Sequence, residues 1–185
     1  QGDLKAAETS YQRAYSLGWD PHPGLAWLLL ARGDAEAAVS SLQRAIQSES
    51  WYARERRPLM QAHLVTLACA ASQPELARAT LAELQANNEP EMPMQKALLA
   101  RAMSRLHALD RRYPQALAQI QSARRHWLEL GAALEAGIEH LEAAKVLQAM
   151  HDPVAAEMEL ASAAATFQAA GATSLYEHCQ KLRGA

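Results

Sequence analysis

Gly33-Asp34-Ala35-Glu36-Ala37-Ala38 is the stretch whose reading decides the fold, because variants of it return along the chain. Gly2-Asp3-Leu4-Lys5-Ala6-Ala7 precedes it. Ser72-Gln73-Pro74-Glu75-Leu76-Ala77, Arg112-Tyr113-Pro114-Gln115-Ala116-Leu117 and His151-Asp152-Pro153-Val154-Ala155-Ala156 follow. Counted between Asp3, Asp34, Gln73, Tyr113 and Asp152, the steps are roughly 31, 39, 40 and 39 residues, inside the 20–50 window of solenoid repeats. Each variant joins a helix breaker to an N-cap residue or a Pro in the first helical turn, then to small apolar residues. The repeating unit is therefore a helical hairpin, and a chain of such units builds a surface rather than a catalytic pocket.

Composition agrees with close-packed helices. Of 185 residues, half are apolar and 5% aromatic. The length suits one domain or one continuous array. A formal charge of -2 gives this segment no electrostatic grip on nucleic acid. Cys69 and Cys179 are far apart and have no CxxC partner; they read as two small buried residues in a reducing, cytoplasmic setting. The longest apolar run, Leu25 to Ala31, is too short to span a bilayer. Gln1 is not a start methionine, and the chain opens on a turn, so it reads as a piece of a longer protein whose first repeat lacks a helix.

The patterning predicts ten helices: Leu4 to Leu17, Leu25 to Arg32, Ala35 to Ser48, Trp51 to Ala71, Pro74 to Ala86, Met94 to Leu109, Pro114 to Leu130, Ala133 to Met150, Pro153 to Ala170 and Ser174 to Leu182. Pro58 should kink the fourth or mark its true start. Asn87-Asn88 ends the fifth, and a loop with Pro90 and Pro93 follows. Apolar positions fall at helical spacing, as in Leu117, Ile120, Trp127 and Leu128. Trp127 and Phe167 each stand four residues before a Gly, placed to cover the seam between neighbouring hairpins. The expected fold is all-α, a right-handed tetratricopeptide-like solenoid of helical hairpins, with helices about a turn longer than the usual 34-residue repeat provides. The strict tetratricopeptide consensus is absent.

The segment Asp20-Pro21-His22-Pro23-Gly24-Leu25-Ala26-Trp27-Leu28-Leu29-Leu30-Ala31-Arg32-Gly33-Asp34-Ala35-Glu36-Ala37-Ala38 resembles the tetratricopeptide-like region of bacterial regulators that end in a LuxR-type helix-turn-helix. The stretch from Ala155 to Ala172 is similar to the last repeat of that region. The resemblance implies a regulatory role: a sensor, docking or dimerising module controlling a DNA-reading domain. That domain would begin after residue 185, because the chain stops at Leu182-Arg183-Gly184-Ala185 before any helix-turn-helix.

Catalytic motifs are missing. No phosphate-binding GxxxxGK[ST] or GxGxxG loop, GxSxG elbow or HExxH helix occurs. His140-Leu141-Glu142 matches half of a zinc deaminase signature, but no Pro-Cys-x-x-Cys follows. In His178-Cys179 the neighbours point to different faces, one buried and one exposed. No enzyme activity, cofactor or metal is expected.

The candidate ligand or partner groove is lined by the first helix of each pair. Its polar residues are Gln61 and His63 on the fourth helix, Arg101 and Arg105 on the sixth, and Glu135 and Glu139 on the eighth. Arg101 and Arg105 share a face and could clamp a carboxylate or phosphate, or simply form an exposed pair. Glu135, Glu139 and Glu142 read first as a solvated stripe. Trp51 and Tyr52 flank the groove or pack into the seam. The cluster Arg54, Glu55, Arg56 and Arg57 reads as an exposed helix start or a dock for an acidic partner. The expected partners are a protein, a peptide or a small-molecule effector, with nucleic acid reached only through a further domain and no membrane. An open N-terminal end leaves room for a homodimer. The other reading is a free-standing adaptor or co-chaperone that binds peptides through an Arg101–Arg105 clamp.

Overall fold

The computed structural model describes residues 2–48, 51–87 and 91–184, without the side chains of residues 51–53 and 87. Ten α-helices and no strand occur among them: α1 (Leu4–Ser16), α2 (Gly24–Ala31), α3 (Ala35–Ile46), α4 (Trp51–Ala70), α5 (Pro74–Asn87), α6 (Pro93–Leu109), α7 (Tyr113–Glu129), α8 (Ala133–Ala149), α9 (Pro153–Ala169) and α10 (Thr173–Arg183). The helix count and most boundaries match expectation to within two residues. Pro58 lies inside α4 and does not start it. Asn88 and Pro90 fall outside the described residues.

The turns explain the accuracy. The αL residue after α2 is Gly33 at φ +87°, and the Asp34 amide donates back to the Leu29 carbonyl at 3.0 Å. This six-to-one bond is the signature of a Schellman end. The next residue is already a cap: Asp34 Oδ1 accepts from the Ala37 amide at 3.0 Å. The same construction recurs at His151–Asp152, where Asp152 donates to Leu147 and caps Ala155. Ser72, Arg111 and His151 occupy the left-handed position at φ +55°, +58° and +60° without being glycine. At these turns one helix is closed and the next opened within a few residues, the short connection of a helical hairpin.

The chain divides into two compact units, residues 3–89 and a second beginning at residue 90. Within the first, each helix packs on its successor from α1 to α5. Its core joins Ala26, Ala38, Val39, Leu42, Met60, Leu64 and Leu67. No α1 residue is buried. Within the second, α6 to α10 pack in the same successive way. Two apolar clusters form there, one around Ala116, Ile120, Ala143 and Val146, the other around Leu141, Leu160, Ala164, Phe167 and Cys179. Small residues bring helices close: a Cβ on Gly137 would stand 2.9 Å from both Phe167 and Thr166 side chains. Trp127 and Phe167 are both buried.

Candidate functional site

In residues 90–185 the structure gathers four of the six candidate groove residues into one ion cluster. Arg101 projects from α6, and its Nε donates to Glu139 Oε1 of α8. Arg105, one turn on, donates to Glu139 Oε2 at 3.1 Å. Arg101 Nη1 also lies 2.7 Å from Glu135 Oε2, near enough for attraction but without hydrogen-bond geometry. Glu142 stands 3.6 Å from Arg105 Nε and 2.7 Å from Lys145 Nζ. The Arg101 guanidinium lies 4.9 Å from the Trp127 ring centre, a cation–π contact.

This geometry corrects two expectations. Glu139 is 0% exposed and Arg101 6%, so neither belongs to a solvated stripe or an exposed pair. The carboxylate held between Arg101 and Arg105 is the chain's own Glu139. Three cationic and three anionic side chains balance, leaving no net charge to attract an anion. Burial pulls the Arg101 guanidinium down, but Glu139 and Glu135 outweigh it and its pKa rises. Burial likewise pushes Glu142 up, while Arg105 and Lys145 hold it below the usual carboxylate range. A second bridge joins Arg124 of α7 and His140 of α8 to Glu159 of α9. The His140 hydrogen bond, with Arg124, lowers the Glu159 pKa. His140 is therefore a hydrogen-bond partner of Glu159. Among the described residues no group of three His, Cys, Asp or Glu is placed to hold a metal.

In residues 3–89 the two remaining candidates separate. His63 is half-buried and accepts the Trp27 indole N–H at Nδ1, 3.2 Å away, with the rings edge to face. Gln61 instead lines a groove of about 420 Å³ between α3, α4 and α5. Its apolar lining includes Ile46, Leu64 and Leu76; its polar lining is Gln43, Gln47, Arg57, Gln61, Thr80 and Glu83. Gln61 is 5% exposed and Thr80 6%. Neither side chain has a hydrogen-bond partner among the described residues, and Arg57 Nε is buried without one. Arg54 and Glu55 are exposed, whereas Arg56 turns back to donate to the His22 carbonyl. The side chains of Trp51 and Tyr52 lie outside the described residues.

No family model matches the chain, and no curated protein matches it significantly. The site must therefore be read from its own geometry. Sequence reasoning reached Gln61 as a groove residue and Arg57 only within a charge cluster, and it missed Thr80, because three helices are needed to bring them together. It also gave the corner before α2 no site role. There Asp20 Oδ1 accepts from the His22 amide at 3.0 Å and lies 2.6 Å from His22 Nδ1. His22 Nε2 in turn lies 2.6 Å from Ser41 Oγ on α3. An Asp two residues before a His, within a Pro-bounded corner, was the available local signal. Cys69 is half-buried and Cys179 buried, both as free thiols, and burial raises the Cys179 pKa. No helix among the described residues is long and apolar enough to cross a membrane.

Proposed function

We propose that this chain is a regulatory binding module of stacked helical hairpins, of the kind that precedes a LuxR-type helix-turn-helix, and that its ligand site is the groove between α3, α4 and α5. The observation that carries the binding site is the Gln61 side chain: 5% exposed, bordering an open groove, and without a hydrogen-bond partner among the described residues. A ligand that supplies a donor and an acceptor to this amide gains about 0.5–1.5 kcal/mol for each hydrogen bond formed. The volume lies within the range of small-ligand pockets. Its apolar floor and amide-and-hydroxyl wall suit a peptide-like ligand, whose backbone pairs with Gln61 and Thr80 while a side chain rests on Leu64 and Leu76.

Stacking of hairpins is supported by the polar bridges. They join alternate helices: Trp27 of α2 to His63 of α4, Arg101 of α6 to Glu139 of α8, and Arg124 of α7 to Glu159 of α9. Such contacts between like helices of successive pairs are what a row of hairpins brings about.

Titration of the chain with a panel of end-capped tripeptides, followed by side-chain amide NMR, tests the site. A binding peptide shifts the Gln61 NH₂ signals, and Gln61→Leu weakens it about 5- to 30-fold, the worth of one or two hydrogen bonds. Binding that leaves those signals unmoved and survives Gln61→Leu refutes the site. The regulatory role is tested in the full-length parent protein, by whether the bound peptide changes its retention on promoter DNA.

A further inference from the structure

We propose that Ser41 is an activated nucleophile, and that the corner formed by residues 19–22 with α3 is an acyl-transfer site for small carboxylic esters. The hydrogen bonds dictate the roles. A carboxylate only accepts, so Asp20 fixes the proton of neutral His22 on Nδ1. The lone pair at Nε2 then faces Ser41 Oγ across 2.6 Å and takes the hydroxyl hydrogen. Nucleophile, base and orienting acid thus stand in one hydrogen-bonded line, the arrangement by which such sites are recognised irrespective of sequence order. Asp20 is a positioning residue; Ser41 and His22 are the catalytic ones.

The surroundings complete a site. Ser41 and His22 line a cavity of about 810 Å³ whose walls include Tyr15, Trp19 and Leu25. Trp19 is 64% exposed, an aromatic surface on which an acyl or aryl group can lie. Arg44, one turn beyond Ser41 on α3, lines the same cavity and supplies the positive charge that a developing oxyanion needs.

The chemistry balances with water as the only co-reactant. Ser41 Oγ attacks the ester carbonyl carbon, and its proton passes to His22 Nε2. The tetrahedral oxyanion collapses, the bond to the alcohol oxygen breaks, and His22 returns the proton to that leaving alkoxide. Water, deprotonated by His22, then attacks the acyl-serine. The carboxylic acid departs and Ser41 regains its proton.

The test treats the full 185-residue chain with a fluorophosphonate probe and with p-nitrophenyl acetate, and maps the adduct by mass spectrometry. The expected adduct sits on Ser41 and is absent from Ser41→Ala. His22→Gln, which keeps a hydrogen-bonding side chain but no base, slows labelling by about 100-fold or more. Asp20→Asn slows it by about tenfold or more through the wrong tautomer. Ser41→Cys, followed by iodoacetamide with and without His22→Gln, gives the same answer should Ser41→Ala not fold. A folded wild-type chain with no adduct on Ser41, or labelling unaffected by His22→Gln, overturns the proposal. The readout is a covalent adduct on Ser41, formed with no peptide present, so this result stands apart from that for the peptide groove.

Discussion

Residues 3–89 and residues 90–185 are both built of helices packed on their successors, but the second gathers buried ions into a paired cluster whereas the first borders an open groove with polar side chains. The second unit pairs its buried ions: Arg101 and Glu139 hold each other, with Arg105, Glu135 and Glu142 around them. Among the described residues its exceptions are the Trp127 indole N–H, His107 Nδ1 and Glu135 Oε2, all buried without a hydrogen-bond partner. The first unit leaves Gln61, Thr80 and Arg57 Nε unpaired along an open groove. Its α2 is only 8 residues long, whereas α6 to α9 are 17 each. The uniform unit closes around its polar groups; the uneven one leaves space beside them. Unsatisfied polarity beside space is what a binding site requires, and satisfied polarity without space is what a support requires.

The largest blow to this contrast comes from Glu139→Ala. It takes the shared carboxylate from buried Arg101 and half-buried Arg105 and costs about 3–5 kcal/mol in urea unfolding; a loss below about 1 kcal/mol would place the cluster in solvent and erase the distinction. Next is Gly137→Ala. Its new methyl meets Phe167 and Thr166 at 2.9 Å, at a cost of about 1–3 kcal/mol.

Acidification is a gentler probe. Glu142 and Glu159 have pKa values held below the ordinary carboxylate value of 4.5. The unfolded chain therefore takes up protons first as pH falls. Their contribution is complete above the unfolded value and disappears as pH drops through the lower folded values. Hydrogen exchange in α8 and α9 should accelerate in that window, with α3 to α5 responding less. Uniform acceleration would deny the second unit its dependence on ions.

Smaller still are the left-handed turn residues. His151→Gly and Ser72→Gly each relieve a backbone that non-glycine residues adopt at a cost of about 1–2 kcal/mol. Part of that gain is lost to the greater chain entropy of glycine, so each variant should gain about 0.5–1 kcal/mol, equally in both units because the turn is shared. At the bottom of the scale, Gln61→Leu should change stability by less than about 1 kcal/mol, or raise it. It removes an unpaired amide rather than breaking a pair. That near-silence beside the loss at Glu139 is the sharpest form of the comparison.

Particular residues show why some features were legible. Asp34, Asp152 and Pro153 mark helix starts because capping is settled within three residues of the cap. Arg111 and His151 gave no such warning: a left-handed turn without glycine looks ordinary in one dimension. Glu139 read as solvated because its spacing with Glu135 and Glu142 describes only one helix. Its guanidinium partners lie 38 and 34 residues away in the chain.

From its amino acids alone this chain specifies ten helices, their turns and their successive hairpins, since caps, breakers and apolar period act over a few residues of backbone. Only tertiary packing decides that Arg101 and Arg105 grip Glu139, that Gln61 and Thr80 face a space, and that His22 reaches Ser41. Those outcomes depend on which faces of separate helices meet, and on how much low-dielectric protein encloses a charge once they have met.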